Sequence, residues 1–93
     1  MILSFRCSAT ERIHQGESTP DLPADIHKTA LRKLQQIDLA KTLNDLRVPP
    51  GNRLEALKGD RKGQHAIRIN DKYRVCFVWA DRGVEAVEIV DYH

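Results

Sequence analysis

The feature that most constrains this chain is the alternation of apolar and polar residues through its second half. Residues 64–70, 73–79 and 84–92 place β-branched or aromatic side chains at every second position, between turn residues. A period of two is the signature of half-buried strands. A shorter candidate strand, residues 54–58, precedes them across Gly59-Asp60-Arg61-Lys62-Gly63. The four are expected to form an antiparallel meander whose connections carry Lys and Arg.

Parity decides which side chains share a face, because successive strand residues point to opposite sides. In 73–79 the large apolar set is Tyr73, Val75, Phe77 and Trp79, with Arg74, Cys76 and Val78 opposite. In 64–70 the matching set is His65, Ile67 and Ile69. Bringing the two sets onto one face requires an odd-length loop, Asn70-Asp71-Lys72, and this sets Arg68 across from Arg74. Like charges directly opposite are destabilising unless they splay into water or share an anion. Both readings stand at this point: two solvated arginines, or a phosphate between two guanidinium forks. A four-residue connection, Ala80-Asp81-Arg82-Gly83, would pair Trp79 with Val84. It would place Ala86, Val90 and Tyr92 on the Trp79 face, and Asp91 and His93 on the Arg74 face. Cys76, Val78, Val87 and Ile89 would partly cover that second face and leave only its Arg68/Arg74 end open.

The first half predicts helices. Leu22, Ile26, Ala30, Leu34 and Ile37 recur at helical spacing, with Leu31 widening the stripe and Asp21 before Pro23 as a start. Asp38 is the expected cap of a second short helix with the face Leu39, Leu43 and Leu46. Residues 1–6 suggest a first strand, residues 7–15 a brief helix, and residues 16–20 a loop. Val48-Pro49-Pro50-Gly51 leads into the sheet. Helices followed by strands give an α+β class: a small antiparallel sheet with N-terminal helices packed on one face, two layers, one domain over 1–93.

Charge is uneven. Residues 1–46 hold six basic and six acidic residues; residues 47–82 hold nine basic against four acidic, a local +5; residues 83–93 hold three acids and no base. A positive middle is compatible with a polyanionic partner. Cys7 and Cys76 lie far apart without metal-type spacing, which points to free thiols and a cytoplasmic protein. No run is long enough to span a membrane, and no signal-peptide pattern opens the chain.

Metal and cofactor motifs are absent: no HExxH, CxxC, DxDxDG, P-loop or GxSxG occurs. His14 and His27 read as surface residues without partners, and His65 as a satisfied core or edge histidine. Asp91-Tyr92-His93 concentrates a carboxylate, a phenol and an imidazole directly after an apolar strand, so it is the candidate acid–base group. Lys and Arg beside such a group form the inventory for cleaving RNA through its own 2′-hydroxyl. The substrate brings the nucleophile; the protein brings a base, an acid and cations for the crowded phosphorane.

The run PPGNRLEALKGDRKGQHAIRINDKYRVCFVW, followed by VEIVDYH, resembles the HigB-type toxins, the plasmid-maintenance killer proteins of the RelE superfamily. The likeness is strong over residues 49–93, and the MILSF start and two-helix middle agree with it. It implies a RelE-like fold and a ribosome-dependent messenger-RNA endonuclease, the toxin of a type II toxin–antitoxin pair, cutting in the A site without metal or cofactor. It implies a HigA-like helix-turn-helix antitoxin as partner, with operator DNA reached only through that antitoxin, and no membrane. Carried over by position, Lys58 in LKGD, Arg74 in YRV, and Asp91, Tyr92 and His93 are the catalytic set. Arg53, Arg61, Lys62, Arg68 and Lys72 are expected to contact RNA or the ribosome. One departure matters: some relatives read LHPLKGD with a histidine where this chain has Glu55. A carboxylate can serve there as a base, or Glu55 is only an exposed strand residue. Two other classes remain beside the enzyme: a catalytically weak RNA- or ribosome-binding module, and a partner in transcriptional autoregulation.

Overall fold

The computed structural model describes residues 1–91. Its elements are α1 (Ser8–His14), α2 (His27–Leu39), β1 (Glu55–Ala56), β2 (His65–Arg68), β3 (Tyr73–Ala80) and β4 (Gly83–Asp91), with the strands in the order β1-β2-β3-β4, all neighbours antiparallel. The expected α+β class, helices on one face of a small antiparallel sheet, is the class observed. No helix among the described residues is long and apolar enough to cross a membrane.

The core is the helical stripe against one sheet face. Ile26, Ala30, Leu34 and Ile37 of the α2 region are buried with Ile67, Val75, Phe77, Val84 and Val87 of the sheet. Leu22 and Leu31 pack at its margin. The helix itself starts later than the stripe, at His27, because residues 24–26 after Pro23 form a 3-10 turn first. Asp38 caps nothing. The second short segment is a 3-10 helix, Leu43–Arg47, capped by Thr42 and Asp45 in a reciprocal box, which draws Leu46 into the core and leaves Leu39 exposed. Asp38 instead accepts the Ile2 N–H at 2.8 Å and lies 4.0 Å from His14 Nε2.

The strand expected over residues 1–6 does not form as a regular strand. Ile2 and Phe5 form isolated parallel bridges to Val84 and Val87, so the segment lies along the outer edge of β4. Regular pairing fails because β4 carries a bulge there: Phe77 faces the two residues Ala86 and Val87, and Ala86 takes φ 53°. The Ala86 N–H donates to Ser4 Oγ at 2.9 Å and the Ile89 N–H to Thr10 Oγ1 at 3.0 Å, so side chains complete the edge. Gly83 is required at the head of β4: a Cβ there would lie 2.6 Å from the Met1 carbonyl oxygen.

The bulge overturns the expected register beyond it. Trp79 does face Val84, across a turn tightened to Asp81-Arg82 by an Ala80–Gly83 pair. After the extra residue, however, Val75 pairs with Ile89, Arg74 with Val90 and Tyr73 with Asp91. Val87 and Ile89 therefore join the helix-covered core, Val90 occupies the row of Arg74, and Asp91 takes the row of Tyr73. The expected placement of Tyr92 and His93 lies outside the described residues.

The entry to β1 is held by a buried polar knot. Asn52 is fully buried; its Oδ1 accepts from Lys33 Nζ, and its Nδ2 lies within reach of Gln36 Oε1 (3.0 Å), the Leu46 carbonyl (3.1 Å) and the Val48 carbonyl (3.4 Å). Burial, then the charges of Arg32 and Arg68, lowers the Lys33 pKa. Helix α2 thereby fixes the segment that carries Glu55 and Lys58.

Candidate active site

The sheet face turned away from the helices carries a row of small and charged residues. Pairing aligns Glu55, Ala66, Cys76 and Glu88 across all four strands, with Arg68, Arg74 and Val90 in the next row. Ala66 and Cys76 are fully buried although no helix covers them. Long charged side chains close over them instead. Burial raises the Cys76 thiol pKa, which keeps the sulfur neutral beneath Arg61, Glu88, Arg74 and Glu55.

The sheet curls so that both edge strands reach one hollow of about 530 Å³, lined by Glu55, Ala56, Leu57, Lys58, Arg61, Val90 and Asp91. Lys58 and Asp91 from the expected catalytic set are thus brought together at one opening with Glu55, for which the sequence left open a base or an exposed strand residue. Arg74 belongs beside it: its Nε lies 3.8 Å from Glu55 Oε1, with the guanidinium side chain 17% exposed. Asp91 borders the same hollow despite pairing with Tyr73, and its Oδ2 lies 3.6 Å from Lys72 Nζ.

The register places Arg68 across from Arg74, as the odd hairpin loop required. Asn70 Oδ1 stabilises that loop by accepting the Lys72 and Tyr73 N–H groups at 2.9 and 2.7 Å. The two guanidiniums relieve each other by turning to separate carboxylates, Arg68 to Asp71 and Arg74 to Glu55. Lys72 also lies over the Tyr73 ring, 5.6 Å from its centroid. Arg53 and Lys62 are exposed and outside the lining of the hollow.

The remaining histidines differ from their expected settings. His14 is tilted against Phe5 at 5.4 Å, in addition to its contact with Asp38, and His27 Nε2 lies 2.9 Å from the Leu22 carbonyl. Both therefore have partners. His65 stacks on Phe77 with its Nδ1 buried and without a hydrogen-bond partner among the described residues. No group of three or more His, Cys, Asp or Glu among the described residues is arranged to hold a metal ion.

Sequence reasoning missed Glu88. Its carboxylate accepts from Arg61 Nη1 at 3.1 Å, on the open face. The signal was available in the spacing of Val84, Val87 and Ile89: three and then two, where an unbroken strand keeps two throughout.

A family model for the RelE-like toxin HigB of type II toxin–antitoxin systems matches residues 3–93. The chain belongs to the HigB-like toxin family. Toxin HigB-1 of Vibrio cholerae serotype O1 is 39% identical over 94 residues, covering all of this chain and 98% of that protein. Endoribonuclease HigB of Proteus vulgaris is 28% identical over 93 residues, covering both chains fully. In three dimensions the HigB-like chain superposes on a chain of the YoeB–YefM complex from Staphylococcus aureus with a TM-score of 0.62 and 22% identity, covering all of this chain and 95% of that one. At that identity the likeness establishes the fold: this is the RelE-like arrangement of helices on an antiparallel sheet.

Proposed function

We propose that this HigB-like toxin is a ribosome-dependent messenger-RNA endonuclease, cutting in the A site by attack of the RNA's own 2′-hydroxyl without a metal ion. The observation that carries the reading is the convergence of Glu55, Lys58 and Asp91 on one hollow with Arg74 at its margin, on a RelE-like sheet. Carboxylates at 55 and 91 are proton acceptors for the 2′-hydroxyl. Lys58 and Arg74 are cations for the non-bridging oxygens, whose charge grows in the transition state. Tyr92 and His93, which follow Asp91 directly in sequence, are assigned to the same site, with His93 exchanging protons at the 5′-oxygen and Tyr92 stacking on a base. Arg53, Lys62, Arg68 and Lys72 supply the surrounding positive field for RNA and ribosome.

The cellular partner of this reading is a HigA-like helix-turn-helix antitoxin, which holds the toxin inactive in the cytoplasm and alone touches operator DNA. The Staphylococcus aureus relative by fold is named as a complex of two proteins, which supports a partnered state. The test is translation in vitro with mapping of message ends, with and without ribosomes. Cuts that need ribosomes and leave a 5′-hydroxyl and a 2′,3′-cyclic phosphate, or its hydrolysed 3′-phosphate, are expected. 5′-Phosphate ends would rule out 2′-hydroxyl attack.

A further inference from the structure

Glu88 stands where a surface meant for RNA should avoid an acid, since each carboxylate there repels the phosphate chain. It sits in the row that crosses the open face, paired through its backbone with Cys76, and its side chain is 21% exposed. Its Oε1 accepts from Arg61 Nη1 at 3.1 Å, and the same nitrogen donates to Gln64 Oε1 at 3.1 Å. Arg61 arrives from the β1–β2 connection, so its side chain reaches across the face to the strand at the opposite edge.

Two acceptors on one nitrogen fix both the place and the plane of a guanidinium. Nε and Nη2 take no part in these two bonds, so the fork keeps donors for a second, anionic partner. The location is specific as well. Arg61 lines the catalytic hollow and also the adjoining one of about 360 Å³, formed with Arg6, Asp60, Gln64 and Glu88. Each hollow is lined by two cations and two carboxylates, but the main one has Arg74 at its margin as a third cation. The main hollow offers Arg61 the company of Lys58.

We propose that Arg61 acts as a further cation at the reacting phosphate, and that Glu88, helped by Gln64, is the positioning residue that holds it there before RNA arrives. This deepens the ribonuclease reading above and rests on it. A donor aimed in advance at developing charge needs no reorganisation at the moment of reaction, which is where a long flexible arginine would otherwise lose effect. Glu88 then acts in two opposite directions. Its charge opposes docking of RNA, while its hold on Arg61 speeds the chemical step.

That opposition supplies the test. Glu88→Ala, shown by thermal melting to fold, should lower single-turnover cleavage on programmed ribosomes on the order of ten-fold, the usual scale for an outer residue that orients a site group. Ribosome affinity should stay equal or tighten. Glu88→Gln, which keeps an acceptor oxygen, should recover part of the rate. The double variant Arg61→Ala/Glu88→Ala should be no slower than Arg61→Ala alone. An unchanged rate in Glu88→Ala, or a further ten-fold loss in the Arg61→Ala background, would overturn the proposal.

A second readout needs no cleavage. In nitrogen-15 spectra the Arg61 guanidinium should show hindered rotation in the unaltered protein and free rotation in Glu88→Ala. Identical Arg61 spectra in the two proteins would overturn the positioning role whether or not message is cut. Hindered rotation in a protein that cuts no message would overturn the ribonuclease reading and the catalytic role of Arg61, and would support Glu88's hold on it.

Discussion

Arg74 Nε lies 3.8 Å from Glu55 Oε1, a contact between strands that are not neighbours in the sheet. It is reached over Ala66 of β2, which pairs with Glu55 and, having only a methyl group, leaves the space above it open. The smallest side chain in the row thus determines that the largest cation and the carboxylate meet. Glu55 is 42% exposed, so the pair contributes little to stability, in the range of about 0–1 kcal/mol for exposed ion pairs. In the proposed mechanism its value is to aim Arg74 at the hollow until a phosphate replaces the carboxylate.

Arg74→Ala should lower the single-turnover cleavage rate by roughly a hundred-fold, near 3 kcal/mol, while ribosome binding changes far less. Lys62→Ala, exposed at the β1–β2 connection, should instead weaken binding and make it less dependent on salt, because one fewer phosphate is neutralised. Single-turnover rates and ribosome affinities at two salt concentrations separate the cases. Equal losses of affinity in both variants, with no loss of rate, would make Arg74 a docking residue.

Glu55→Gln keeps the size of the side chain and removes the proton acceptor. If Glu55 is the base, the rate should fall on the order of a hundred-fold or more. Glu55→His, which restores the residue that some relatives carry in LHPLKGD, should retain cleavage, because an imidazole can accept the same proton. A Glu55→Gln protein that cuts at the original rate would leave Glu55 with Arg74 alone and move the base to Asp91.

His93 follows Asp91 by two residues in the sequence. Its removal should abolish growth arrest on induction while antitoxin co-purification and thermal melting remain unchanged. A truncated protein that folds, binds ribosomes and cuts at full rate would remove His93 from the mechanism.

The sheet was legible because its alternation is local, and so was the hairpin that opposes Arg68 to Arg74, since loop parity alone determines it. Glu55 and Lys58 were legible as motif positions, although nothing in the sequence said that Glu55 would meet Arg74 over Ala66. The far end of β4 was not legible, because one residue in an unusual conformation, Ala86 at φ 53°, reverses the parity of Val87 through Asp91. The apparent cap at Asp38 misled for a related reason: its carboxylate is taken by the Ile2 N–H, a partner 36 positions away. Long-range hydrogen bonds of this kind leave no periodic trace.

Asp45 offers a pH signature. The Lys41 and Thr42 N–H groups donate to its Oδ2 at 2.9 and 3.0 Å, and these two bonds hold its pKa below the ordinary 3.8. A carboxyl depressed on folding contributes stability above its unfolded value, and that contribution is lost as pH falls through the lower folded value. Asp45→Asn should therefore be less stable than the unaltered protein by a constant amount above about pH 5, with the gap closing below pH 3.8. Urea midpoints across the acid range measure it; a gap that does not change with pH would show that the ionised carboxylate is not what stabilises the cap.

Asn52 connects stability to the site more directly. It is fully buried, and truncating it removes the acceptor from Lys33 Nζ, which is itself 6% exposed and has burial as the first cause of its lowered pKa. An ammonium left in that position without its acceptor costs roughly 3 kcal/mol or more. The same truncation strips a donor from the Leu46 and Val48 carbonyls, which lie on the path into β1. Asn52→Ala should thus lower the urea midpoint and also slow cleavage, because Glu55 and Lys58 lose the anchor three and six positions upstream of them. Adding Lys33→Met to Asn52→Ala removes the stranded charge and should recover much of the stability. It cannot restore the anchor, so the rate should stay low. Recovery of both stability and rate in the double variant would mean that the knot only keeps the fold, and that β1 finds its place at the hollow without it.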